Sequence, residues 1–213
     1  MTKEILTSLH GLEIGLDADR DLIVGGKQIS DKAAEVGAKN GTAVVETSLI
    51  DGVFRKVKLT CTALAIPLTD ESGVCVHGGY KVYDFPAGLL CFMGASVVGE
   101  LTGDDVNATF DGDVALGSTE VDNTATPMVT TQQDLLANTT LAAATAKVAP
   151  VDAFTVPGLL TESGAVWLDG RSTAKDMWLN FLIDEDGANA TADGAFTGTI
   201  EFIYAIIGNV DPA

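Results

Sequence analysis

Histidine is almost missing from this chain: His10 and His77 are the only two in 213 residues. A zinc or cupin-type centre on a β scaffold needs a cluster of His and carboxylate ligands. His77 is followed by Gly78-Gly79, not by a second His two residues on, the spacing that puts both side chains on one strand face. A His-based triad would have to use one of these two residues, and no GxSxG elbow accompanies them. Cations are scarce as well, with 12 Lys plus Arg against 30 Asp plus Glu and a formal net charge of -18. Neutralising phosphates takes clustered cations, so this balance argues against nucleic acid and against an anionic membrane surface as partners. It suits a protein displayed at high local density, and simple solubility explains it equally well.

Aromatic residues make up only 6% of the chain, and most fall on apolar strand faces. A sugar cleft favours exposed aromatics, so Trp167 and Trp178 read as core or interface anchors. Cys61, Cys75 and Cys91 are odd in number, sit inside apolar runs and include no CxxC. They read as small buried hydrophobes in a reducing compartment. No run approaches the ~20 apolar residues of a membrane span. The stretch 1–21 has no apolar segment behind a basic start. The expectation is a soluble protein made in the cytoplasm.

Partial motifs point to no chemistry. Asp17-Ala18-Asp19-Arg20-Asp21 alternates carboxylates, but Leu22 stands where a calcium loop has its turn glycine and Gln28 where it has its bidentate acid. Asp184-Glu185-Asp186-Gly187 and Asp111-Gly112-Asp113 have turn chemistry that needs no metal. Gly25-Gly26-Lys27 lacks the rest of a phosphate loop. Paired carboxylates for glycoside hydrolysis are decided by their separation in space, which a sequence does not carry. The expectation is no catalytic residue, no cofactor and no metal.

What the chain does have is strand signal. Hydrophobic residues make up 46% of it, and a chain of this length buries roughly 70% of its extended surface. That is enough for one ordinary core. From Asn40-Gly41 onward, short runs alternate with Gly and Asp corners. Thr42 to Ile50 closes at Asp51-Gly52. Val53 to Leu68 places Val57, Leu59, Cys61, Ala63 and Ala65 on one face. The run from Val74 to Tyr83 breaks at Asp84-Phe85-Pro86-Ala87-Gly88 before Leu89 to Leu101. Val106 to Phe110 reads as another strand, with Asp111-Gly112-Asp113 as a turn. Many short strands with little helix predict an all-β sandwich or barrel over 41–213.

Two segments stand apart. Residues 1–40 are punctuated by glycine and carry apolar residues only in short pieces: Leu9, Leu12, Ile14, Leu16, then Leu22, Ile23 and Val24. They read as an extended N-terminal arm lying on a neighbouring subunit, or as an irregular flap on their own domain. Ser30 caps a short helix or turn that ends at Gly37. The Thr/Ala-rich stretch near 118–150 reads as an excursion from the sandwich, with turns of helix over 132–137 and 141–148.

The clearest pattern lies between Ala165 and Gly208. Met177, Leu179, Phe181 and Ile183 share one face of a first run, with Asn180, Asp184, Trp178 and Leu182 opposite. Phe196, Ile200, Phe202, Tyr204 and Ile206 share a face of a second run, with Thr197, Thr199 and Glu201 opposite. Joined by the acidic loop Asp184 to Asp193, these runs predict a half-buried antiparallel hairpin.

Phe85-Pro86-Ala87-Gly88-Leu89-Leu90 with Met93-Gly94-Ala95 resembles a strand start common in small head proteins of tailed bacteriophages. Leu168-Asp169-Gly170 with Thr173-Ala174-Lys175-Asp176-Met177-Trp178-Leu179-Asn180 resembles their C-terminal signature, and Gly198-Thr199-Ile200, Tyr204 and Ile207-Gly208-Asn209 continue it. The likeness covers the C-terminal quarter and one central turn. Such proteins are similar to the jelly-roll decoration, or cement, proteins of icosahedral shells. The resemblance implies a jelly-roll-like antiparallel β-sandwich with no catalytic residues. It also implies a homotrimer that binds the major capsid protein on the outer surface of the virion and clamps neighbouring capsomers. The contact residues expected are the apolar positions of the arm together with His77 and Trp178. The alternative is a head-fibre base or a host-surface or glycan-binding β-sandwich module.

Overall fold

The computed structural model describes residues 4–9, 12–16, 22–24, 27–28, 37–51, 54–71, 75–103, 111–122, 128–141, 148–154, 166–184 and 194–208. The chain divides into two units, Met1–Val36 and Gly37–Ala213. In the first, β1 (Glu4–Leu9), β2 (Leu12–Leu16), β3 (Leu22–Val24) and β4 (Lys27–Gln28) follow one another across a four-stranded antiparallel sheet. The expected helix or turn over 30–36 lies outside the described residues.

The second unit carries β5 (Ala38–Lys39), β6 (Val44–Asp51), β7 (Phe54–Ile66), β8 (Thr69–Glu71), β9 (Cys75–Asp84), β10 (Leu89–Thr102), β11 (Asp111–Gly117), β12 (Leu136–Thr140), β13 (Val148–Phe154), β14 (Val166–Asp169), β15 (Asp176–Asp184) and β16 (Gly194–Gly208). One sheet runs β13-β10-β16-β7-β6, with β14 also on β10. The other runs β12-β11-β15-β9-β5, with β8 also on β9. The long strands pair first with last: β7 with β16, β9 with β15, β10 with β13, β11 with β12. A hairpin-like ribbon paired in this way and wrapped so that successive pairs alternate between two sheets is a jelly roll. The all-β jelly-roll sandwich expected from the sequence is what forms.

The core lies between the two inner faces and follows the alternation. Val57, Leu59, Leu179, Phe181, Ile200 and Phe202 are all buried in a single cluster. Each such large apolar side chain contributes roughly 1.5–3 kcal/mol. Tyr83 meets Phe202 edge-on at 4.9 Å, and its hydroxyl lies 3.3 Å from that of Tyr204. Burial raises the pKa of both phenols, so they stay protonated and bonded to each other. The chain enters the sandwich against this pair, where the Gly37 N–H donates to the Tyr204 hydroxyl at 3.5 Å. A Cβ at Gly37 would lie 2.3 Å from the Asp84 carbonyl oxygen, so only glycine fits the approach.

Several expectations are corrected. The run Met177–Ile183 and the run Phe196–Ile206 do not form a hairpin. β15 pairs with β11 and β9 in one sheet, and β16 with β10 and β7 in the other. The two runs face each other across the core, with Phe181 and Phe196 at 6.2 Å. Alternation states which face is buried and is silent about the neighbouring strand. The nine residues from 185 to 193 exceed a hairpin loop and suffice to cross the ~10 Å between sheets. Ala63 and Ala65 are exposed, because Thr62 and Ala63 both oppose Thr197 in a bulge, with Ala63 at φ +46°. The bulge swaps faces, and Leu64 and Ile66 point inward instead. Asp111-Gly112-Asp113 opens β11 rather than turning. The stretch near 118–150 is not wholly an excursion, since it supplies β12 and the start of β13.

Candidate functional site

The outer face of the sheet around β15 is covered by the chain itself. In one row across the strands, Ala115 of β11 and Gly79 of β9 flank Asn180 of β15. Their small size leaves a slot, and the segments 118–122 and 128–135 lie over it. Asn180 is fully buried. Its Nδ2 donates to the Thr119 carbonyl at 2.9 Å and the Gln132 carbonyl at 2.8 Å, while its Oδ1 accepts from the Val121 N–H at 3.1 Å. A buried amide serving three main-chain groups fixes the segment in one position. Gln132, in the short 3-10 turn Thr130–Gln132, accepts from the Val129 N–H at 2.8 Å and donates to Asp122 at 2.7 Å.

Ser118 donates to Asp134 through its N–H at 2.8 Å and its hydroxyl at 2.7 Å. Burial nevertheless raises the Asp134 carboxyl above its ordinary range, more than the Ser118 bonds lower it. Beneath the flap, Val121 and Met128 pack on Cys75, Ala115 and Leu182. Leu182 therefore sits on the "polar" side of its strand because that side has its own cover.

The opposite sheet presents a different outer face. Trp167, Cys91, Ala205 and Phe54 stand side by side in one row across β14, β10, β16 and β7. The adjacent row holds Ile203, Lys56 and Leu49. Met93 bulges out beside them, because the pairing skips from Phe92 to Gly94. Trp167 is 57% exposed, Phe54 47% and Leu49 65%. Ion pairs lie on the same face, one of them made by Lys56 of the second row. Glu201 lies 3.2 Å from Lys58 and 3.3 Å from Lys56, and its carboxyl is lowered chiefly by the bond from Lys58. Arg171 pairs with Asp169 at 2.7 Å and holds it down to about 2. Exposed apolar side chains grouped with charged ones on one sheet face are the mark of an interaction surface.

Of the contact positions expected from the sequence, His77 and Trp178 lie on β9 and β15 of the other sheet, and the rest lie in the N-terminal unit. In the N-terminal unit the register pairs Leu9 with Leu12, Leu16 with Leu22 and Ile14 with Val24. The register also pairs Ile23 with Gly15 and with Gln28. His77 is buried on β9 between Leu182 and Thr69. Trp178 is half-buried on the flap-covered face, opposite Lys81 and Gly117. Sequence reasoning missed Phe54, Met93 and Leu49 as a surface. The missing signal is the strand order, which alone makes distant residues neighbours.

Cys61 and Cys75 are buried, Cys91 is half-buried, and none of the three is in a disulfide. Burial pushes Cys61 up to about 11. Among the described residues, no three His, Cys, Asp or Glu side chains gather in a metal-binding group, and no helix is long and apolar enough to cross a membrane.

Fold and surface together define an all-β jelly-roll sandwich in which, among the described residues, one sheet is covered by its own flap and the other is not. No family model, curated protein or solved structure matches the chain.

Proposed function

We propose that the chain is a structural virion protein that binds the outside of an icosahedral phage capsid and stabilises it by clamping neighbouring capsomers, as a trimer. The observation that carries the binding half of this reading is the bare apolar face around Trp167 and Phe54. The phage half rests on the resemblance of the segments around Phe85–Ala95 and Leu168–Asn209. A binder that engages only the mature arrangement of shell subunits shifts the equilibrium toward that arrangement. Many weak symmetric contacts then add through multivalency. The net charge of -18 keeps such a protein off DNA. Purified protein mixed with mature shells should bind saturably and raise their resistance to heat or chelator. A protein that neither binds shells nor protects them would contradict the proposal.

One feature favours the second reading, a host-surface or glycan-binding module. Trp167 stands exposed two residues from the Asp169–Arg171 pair, an aromatic platform beside polar groups. Saturable binding to host envelope material that is lost in Trp167→Ala, with no binding to shells, would establish that reading instead.

A further inference from the structure

β6 ends its sheet: no strand pairs with its other edge among the described residues. It is eight residues long and pairs with β7 in unbroken register from Val44 to Asp51. An edge like this is a template for another strand unless a proline, lysine, bulge or short length protects it. VVETSLID has no proline, lysine or bulge, and its one charge on the core side, Glu46, is held by the Lys39 N–H at 3.0 Å. The far edge of the same sheet is protected, with Pro150 inside β13 and only four residues in β14. Val45 at 62% and Leu49 at 65% are the most exposed large apolar residues described, and both stand on the bare outer face of β6.

We infer that β6 pairs antiparallel with β6 of a second copy about a two-fold axis through Thr47. The side chains select this register. A two-fold pairing keeps the buried and exposed faces continuous only if a residue on the axis meets its own copy. Centring on Glu46 sets two carboxylates directly opposite, which is repulsive. Centring on Ser48 sets Val45 against Asp51. Centring on Thr47 sets Val45 against Leu49 twice and Thr47 against Thr47, the apolar and hydroxyl pairings that sheets favour. Glu46 then faces Ser48, and its carboxylate is already engaged by the Lys39 N–H at 3.0 Å. The join brings the two most exposed apolar side chains together across the axis, beside the outer face that carries Lys56, Ile203 and Met93.

This contact does not depend on the capsid reading. In a trimer it adds a two-fold link between neighbouring trimers.

The test uses the full chain with Cys91→Ser, which removes the half-buried thiol from the same face. Directly opposed residues lie roughly 4.5–5.5 Å apart at Cα, within disulfide range. Thr47→Cys should therefore cross-link two copies under mild oxidation. Val45→Cys and Leu49→Cys should each fail alone and cross-link when mixed. Independently, Thr47→Lys and Thr47→Glu should each weaken the two-copy contact about fivefold in sedimentation, and a one-to-one mixture should restore it. Cross-linking of Thr47→Cys no greater than that of Leu49→Cys alone would overturn the inference. So would a mixture of the Lys and Glu variants that associates no better than either one.

Discussion

Asn180 is the side chain on which the flap depends. Asn180→Ala strands the Thr119 and Gln132 carbonyls and the Val121 N–H in a buried site. A loss of about 3 kcal/mol is expected, read from the denaturant midpoint. Gly117→Ala should act on the same flap from below, since its Cβ would lie 2.4 Å from the Gln132 backbone, and about 1–3 kcal/mol is expected. Asp134 gives a pH signature. Its folded pKa is raised by burial, so its stabilising contribution is fully present below the unfolded value of 3.8 and is lost as pH rises through the folded value. Asp134→Asn, which mimics the protonated acid, should thus compare best with the parent at pH 7. That advantage should shrink at pH 3, as urea midpoints at the two values will report. Glu201 has the opposite sign: lowered by Lys58, it supports the fold above its unfolded value of 4.5 and loses that effect on acidification. At this scale the sequence was informative wherever burial alternates, as in Met177 to Ile183. It was misleading at Ala63, because a bulge shifts parity without changing residue type.

Among the elements, the pair β15 and β16 separates what a pattern encodes from what it leaves open. Both buried faces were legible from alternation, yet the strands belong to different sheets. Loop length carries the missing information, and a deletion can read it. Replacing residues 185–193 by a two-residue turn should abolish folding, because such a turn cannot cross between sheets ~10 Å apart. Replacing Gly52-Val53 with Asn-Gly should leave the melting temperature within a few degrees, because β6 and β7 are a true hairpin with Asp51 opposite Phe54. Circular dichroism of the two variants compares these outcomes directly. The flap was legible only as a Thr- and Ala-rich stretch. Its anchor is an Asn on a strand, 61 residues along the chain from Thr119, and no local rule reaches that far.

For the whole molecule, strand count and turn chemistry sufficed for the all-β class, and the wrapped pairing of first strand with last was supplied by resemblance. The bare face was not legible, because Trp167, Cys91 and Phe54 are scattered over more than a hundred positions and meet only in the folded register. Met1–Val36 forms a compact unit of its own, and among the described residues the core cluster runs from Val44 to Ile206. A chain lacking residues 1–36 should therefore still unfold cooperatively, as calorimetry will show. The most direct measurement of the proposed capsid role is co-sedimentation with mature phage shells, comparing the parent with the double variant Trp167→Ala, Phe54→Ala. Loss of these two exposed side chains should leave the fold intact and weaken shell binding at least tenfold, about 1.4 kcal/mol. Equal binding by parent and variant, or none by the parent, would contradict the assignment of this face to the capsid.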